Sequence, residues 1–170
     1  LTDPTGIPSI AAALGATTPG GQSDILEGIL KGLEGRRSVA APKNWADAYH
    51  QLRSNPDQQT RRNATRLALI FNDRSAIRDL RADAADPEVK AAFRIEAINS
   101  LVQKQDQILS ALLFRLLTDH SVRQSAIRGL ASFNDGETPD QLFKHYASFD
   151  PSTRMDALQT LASRKPWAYR

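Results

Sequence analysis

The residues in this chain best suited to proton transfer or metal binding are His50, His120 and His145. A zinc site on a helix needs two ligands one turn apart, as in His-x-x-x-His or His-Glu-x-x-His. These three lie 70 and 25 residues apart, so no helix face carries two of them. His120 follows Asp119 in a stretch rich in turn residues and reads as a solvated turn residue. General acid–base chemistry could instead use the carboxylates Asp73, Asp79, Asp83 and Asp86. Asp83 and Asp86 fall at a helix end and a helix start, where capping explains them without catalysis. Gly15, Gly20 and Gly21 lack the Gly-Lys-Ser/Thr and the preceding strand of a phosphate loop. The chain has no Cys, which excludes disulfides, Cys-ligated zinc, thiol chemistry and Cys-x-x-Cys-His haem attachment within it. The reading assigns no catalytic, cofactor-binding or metal-binding residue, expects no cofactor, and takes the segment as non-enzymatic.

Charge offers a binding candidate in place of chemistry. Arg61, Arg62, Arg66, Arg74, Arg78 and Arg81 form a run interrupted only by Asp73 and Asp79. Arg62 and Arg66 are one helical turn apart. With Arg94 and Arg128 they could line a stripe facing an acidic protein or a phosphate backbone. A solvated helix face together with a structural ladder is the favoured account of such a run. The whole chain carries 22 basic and 19 acidic residues for a net charge of +3, too small an excess for a nucleic-acid signature. Protein is therefore the expected partner. Nucleic acid bound on a basic concave face is the alternative.

The elements that would position these residues are helices. Apolar residues recur at helical spacing through Ile25–Leu33, Trp45–Leu52, Ala64–Phe71, Val89–Val102, Ile108–Leu117, Val122–Leu130, Leu142–Tyr146 and Ala157–Ala162, and no stretch alternates like a strand. Short breaks rich in Asn, Asp, Pro and Gly separate them. They predict five helix pairs. The first helices lie near 7–14, 43–54, 74–83, 105–117 and 138–147, and their partners near 22–35, 58–71, 87–103, 120–133 and 151–164. A divergent first pair and linker occupy 1–42, four similar pairs occupy 43–164, and 165–170 begins another helix. Thr17 to Asp24 reads as a long turn. Trp45 and Tyr49 belong in a core, whereas Trp167 and Tyr169 are expected to be exposed beyond the last pair. No apolar run approaches a membrane span, so no membrane insertion is expected. The start at Leu1, without Met or a signal-peptide pattern, suggests a piece of a longer polypeptide.

Four motifs repeat along these pairs: Asp57-Gln-Gln-Thr-Arg61, Asp86-Pro-Glu-Val-Lys90, Asp119-His-Ser-Val-Arg123 and Asp150-Pro-Ser-Thr-Arg154. Their Asp residues are 29, 33 and 31 positions apart, a period typical of stacked repeats. Helix pairs bearing Asp-x-x-Val/Thr-Arg/Lys resemble the short bacterial HEAT repeats, also named after phycobilisome lyases. The resemblance covers about residues 43–164 and implies an all-α, right-handed α-solenoid. It also implies a structural ladder in which Asp57, Asp86, Asp119 and Asp150 cap second helices. Arg61, Lys90, Arg123 and Arg154 would then reach a carboxylate or carbonyl of the neighbouring repeat. Through the cap alone, Asp86→Ala should cost about 1 kcal/mol.

A narrower resemblance is carried by Ile25-Leu-Glu-Gly-Ile-Leu-Lys-Gly-Leu-Glu-Gly-Arg36, Leu67-Ala-Leu-Ile-Phe-Asn-Asp73 and Asp156-Ala-Leu-Gln-Thr-Leu-Ala-Ser-Arg-Lys-Pro166. These are similar to the helical region of large secreted bacterial proteins described as membrane-bound dehydrogenases or haem-binding proteins. That resemblance implies a periplasmic or secreted spacer between a propeller domain and a cytochrome domain. The analogy with lyases, a bilin-handling role, has no ligand cavity marked in the sequence.

Overall fold

A computed structural model describes residues 14, 17, 19–36, 38–42 and 44–168, with backbone only at 19, 20 and 168. Among the described residues all regular structure is helical: α1 Pro19–Gly32, α2 Trp45–Arg53, α3 Gln58–Ile70, α4 Arg74–Ala85, α5 Ala91–Gln103, α6 Leu109–Leu116, α7 Arg123–Leu130, α8 Thr138–Tyr146, α9 Pro151–Ala162 and α10 Lys165–Ala168. None of these is long and apolar enough to cross a membrane. The helix expected near 7–14 lies outside the described residues except for Leu14. The chain divides into two compact units, Leu1–Ala76 and Ile77–Arg170, with the boundary inside α4.

In the first unit α3 packs on both α1 and α2. Its inward face is Thr60, Asn63, Ala64, Leu67 and Ala68, all nearly inaccessible, and the small residues let neighbouring helices approach closely. Burying Leu67 alone contributes about 2 kcal/mol. Trp45 and Tyr49 are buried, as expected for core residues. Trp45 stacks on Tyr49 with ring centroids 5.9 Å apart and meets Phe71 edge-on at 4.7 Å. The linker before α2 is fastened to the end of α3, where the Val39 amide donates to the Ile70 carbonyl and the Asn72 amide group to the Ser38 hydroxyl. One difference from expectation is the start of α1 at Pro19, inside the stretch read as a turn. Proline fits the first helical turn because its missing N–H would have no intrahelical partner there. Gln22 then donates to the Leu14 carbonyl and accepts from Asn55, which ties α1 to the turn before α3.

In the second unit α5, α7 and α9 follow one another, α7 packing on α5 and α9 on α7. Helix α6 packs on α7, while α8 and α10 pack on α9. Ile98, Leu101, Leu109, Leu113, Leu117, Ile127, Leu130 and Leu142 are fully buried between them. The helices approach closely at Gly129, where an added Cβ would stand 3.2 Å from both a Leu113 and a Val102 methyl. Trp167, expected to be exposed, is 5% exposed, with the Arg164 guanidinium 5.2 Å from its ring centroid. Tyr169 lies outside the described residues.

The largest correction concerns α5. Asp86-Pro87 predicts a cap followed by the first helical turn, near residue 87. The helix instead begins at Ala91, with Lys90 in the N-cap position and no side-chain cap. Asp86 accepts only the Glu88 amide, in a turn that the Val89 amide closes onto the Asp86 carbonyl. Asp-Pro serves an Asx-turn as well as a helix cap, and here the turn prevails.

Helices α3 and α5 end alike. Asn72 and Gln105 adopt left-handed φ values of 55° and 51°. The amides of Asp73 and Asp106 then reach back five residues to the carbonyls of Ala68 and Leu101. This is the Schellman ending.

Candidate functional site

Four arginines hold corresponding places at the starts of α3, α5, α7 and α9: Arg61, Arg94, Arg123 and Arg154. An alanine stands three residues after each, at Ala64, Ala97, Ala126 and Ala157, and every one is 0–2% exposed. The arginines are 33, 29 and 31 residues apart. Aligned this way, Arg94 rather than Lys90 is the counterpart of Arg61, one helical turn later than the motif suggested.

In the first unit Asp57 caps α3, accepting from the Gln59 and Thr60 amides at 3.3 and 2.8 Å and from the Thr60 hydroxyl at 2.6 Å. The Thr60 hydroxyl and amide hold its carboxyl below the ordinary value of 3.8. Arg61 turns back and donates to the carbonyls of Asn55 and Pro56, satisfying the turn that precedes its own helix. In the second unit Asp150 caps α9 through the Thr153 amide and hydroxyl. The same pair of bonds lowers its pKa. Arg154 donates to the Ala147 carbonyl at 3.0 Å and lies over the Tyr146 ring.

Arg94 and Arg123 are the buried members, 2% and 4% exposed. Arg94 donates to the Ala84 carbonyl at 3.1 Å, the Ser121 hydroxyl at 3.1 Å and the Asp119 carboxylate at 2.7 Å. Burial pushes the Asp119 carboxyl up, but bonds from the Ser121 hydroxyl and amide and from Arg94 outweigh it, and the net shift is downward. Arg123 donates to the Leu117 carbonyl at 2.6 Å and, more weakly, to those of Thr118 and Ser148, with the Phe149 ring 5.2 Å away. Lys90 is exposed, and its side chain makes no ion pair or hydrogen bond among the described residues.

The candidate partner-binding cations separate into two groups. Arg94 is buried as just described. Arg128 is forked onto Asp156, with Nε and Nη2 at 2.9 and 3.1 Å from its two oxygens. Asp156 raises the Arg128 pKa through that hydrogen bond. Arg62 is half-buried with Nη1 3.4 Å from the Gln59 side-chain oxygen, and Arg66 is exposed on the same face of α3. Of the wider run, Arg81 forks onto Asp106, its Nε 2.7 Å from one oxygen and its Nη2 bonded to the other. This bond raises the Arg81 pKa. Asp73 accepts the Trp45 indole N–H at 3.1 Å and the Ser75 amide and hydroxyl, a structural role.

Bonds between successive helix pairs were not visible in the motifs. Besides Arg94–Asp119 and Arg128–Asp156 they include Gln124 to Ser152, Thr160 to the Ile127 carbonyl and Arg164 to the Ala131 carbonyl. Their partners are 25 to 33 residues apart. A search of the sequence for Arg and Asp at that separation would have found the charged ones. His50 and His120 are exposed and His145 is half-buried. No three metal-binding side chains converge among the described residues. Comparison with protein-family models, with curated proteins and with solved structures gave no match.

The lowered carboxyls set an acid limit. Asp57, Asp119 and Asp150 have folded pKa values below their unfolded ones, so the unfolded chain binds more protons in the interval between. Their contribution is complete above the ordinary carboxylate range and is lost as pH falls through the folded values. The thermal midpoint should be flat above about pH 5 and drop progressively below about pH 4. Alanine at all three positions should flatten that drop in a calorimetric pH series.

Proposed function

We propose that the chain is a non-catalytic scaffold of stacked helix pairs, a HEAT-type α-solenoid of about five pairs that holds protein partners or flanking domains at a set spacing. The carrying observation is the recurrence of Arg-x-x-Ala at the starts of α3, α5, α7 and α9, with each arginine bonded to a backbone carbonyl of the preceding turn or of the end of the preceding helix. A catalytic residue has no reason to recur once per helix pair, whereas a packing residue does. Of the cations that the nucleic-acid alternative would use, Arg94 is buried against Asp119, whereas Arg128 pairs with Asp156 and stays largely exposed.

In a stack, each pair is stabilised by its neighbours alone, so damage spreads only locally. Leu130 is fully buried in α7. Leu130→Ala should speed amide exchange in α5, α7 and α9 and leave α1 to α3 at their original protection. Hydrogen exchange read by mass spectrometry checks this. A uniform loss of protection across all the helices would identify one cooperative bundle and defeat the stacked-pair reading.

A further inference from the structure

The turn between α7 and α8 contains Asn134, Asp135 and Gly136, and no other Asp in the chain precedes a glycine. Asn134 and Gly136 are exposed and Asp135 is half-buried. A Cβ added at Gly136 would meet nothing within 4 Å, so the space around this peptide is open. The Asp135 carboxylate accepts from the Glu137 amide at 3.0 Å, and the Asp135 carbonyl accepts from the Thr138 amide at 3.2 Å. The Gly136 amide between them donates to no acceptor among the described residues.

An Asp carboxyl carbon and the next main-chain nitrogen are spaced to close a succinimide ring. Two things ordinarily hinder closure: a side chain on the following residue, and a hydrogen bond that holds its amide. Gly136 has neither. The Asx bond to Glu137 also encloses the Gly136 nitrogen in its ring of atoms, which folds the carboxyl forward over the peptide that attacks it. We propose that Asp135-Gly136 is a site of spontaneous isoaspartate formation in the folded chain.

The Gly136 nitrogen bonds to Asp135 Cγ, and the amide proton leaves with the carboxyl hydroxyl as water. A second water then reopens the ring. Attack at Cγ restores aspartate. Attack at the former main-chain carbonyl carbon gives isoaspartate, with the chain running through Cβ and Cγ and the old carbonyl carbon left as a free carboxylate. Nothing is oxidised or reduced, and water is the sole co-reactant. Isoaspartate draws the accepting carboxyl into the main chain and turns the accepting carbonyl into a branch, so both bonds that shape the entry to α8 are lost. The extra main-chain methylene falls just before Thr138 and Pro139, which are buried in the first turn of α8. Conversion therefore loosens that turn, whether or not the helix pairs stack.

The test ages the full folded chain at neutral pH and physiological temperature, digests it with trypsin and follows the peptide Gly129–Lys144 by chromatography and mass spectrometry. A second peak of unchanged mass is expected, preceded by a transient one lighter by one water, and electron-transfer fragmentation should place the isoaspartate at residue 135. An isoaspartate-specific carboxyl methyltransferase should label the aged chain and not the fresh one. Gly136→Ala should lose both the peak and the label. The open space admits its methyl, and Gly136 does not use left-handed backbone, so this variant keeps its fold, as circular dichroism would check. Asp135→Ser keeps an oxygen for the Glu137 amide but has no Cγ, and should lose both signals too. Conversion only in the urea-unfolded chain, no conversion at all, equal conversion in Gly136→Ala, or conversion placed at Asn134 or Asp140 would each overturn the proposal.

Discussion

Arg94→Ala should lower unfolding stability by about 3 kcal/mol, while Lys90→Ala should change it by less than about 0.5 kcal/mol. Arg94 is 2% exposed and supplies donors to the Ala84 carbonyl, the Ser121 hydroxyl and the Asp119 carboxylate. Truncation takes a donor from all three, leaves Asp119 only the Ser121 amide and hydroxyl, and opens space for a guanidinium between α4, α5 and the turn before α7. Asp119 keeps 28% side-chain exposure, so water can reach it, and the cost belongs at the lower end for a broken buried pair. Lys90 stands at the helix start with its ammonium in water. Arg94→Lys should recover little, because one ammonium cannot span three acceptors that a planar fork reaches together. Urea denaturation of the three variants decides the matter. Equal losses for Arg94→Ala and Lys90→Ala would mean that Arg94 holds the second unit together no more than the cation of the Asp86 motif does.

The second large effect lies at the meeting of α5, α6 and α7. Leu113 is fully buried with both of its methyl carbons facing Gly129. Leu113→Ala should cost about 3 kcal/mol through lost burial and the cavity it leaves. Gly129→Ala alone should cost about 1 kcal/mol, because crowding at 3.2 Å from two side chains exceeds the gain in helix propensity. In the Leu113→Ala background the crowding from α6 is gone while that from Val102 remains, so the same Gly129→Ala change should be close to neutral. The double-mutant cycle thus has a loss smaller than the sum of the two single losses as its signature. Additive effects would show that Leu113 and Gly129 do not share the space ascribed to them.

Where helix ends are set locally, the sequence is a good guide. Asp57 and Asp150 carry hydroxyl residues three positions later, and α3 and α9 start where those caps place them. Apolar periodicity likewise identifies α2, α4 and α8 to within about two residues. It fails at Asp86, where a turn and a cap share the same dipeptide. Only the fit of Arg94 against Ala84 and Asp119 selects between the two registers one turn apart. The ties between pairs were less legible still. Asp106 and Asp156 belong to no motif, and they matter because folding brings them beside Arg81 and Arg128. Trp167 was misread for a similar reason, since its cover comes from Arg164 and α9 rather than from a further apolar stretch.

Each unit also holds one of the chain's two tryptophans, Trp45 in the first and Trp167 in the second. Trp45 donates its indole N–H to the Asp73 carboxylate, and Trp167 lies beneath a guanidinium. The two indoles therefore sit beside charges of opposite sign, a carboxylate at one pyrrole nitrogen and a guanidinium over the other ring. Indole emission responds to loss of such contacts, so each unit carries one intrinsic fluorescent reporter of its own packing. With Trp45→Phe or Trp167→Phe, a single emission trace isolates one unit, and the order in which the two lose structure can be read without any added label.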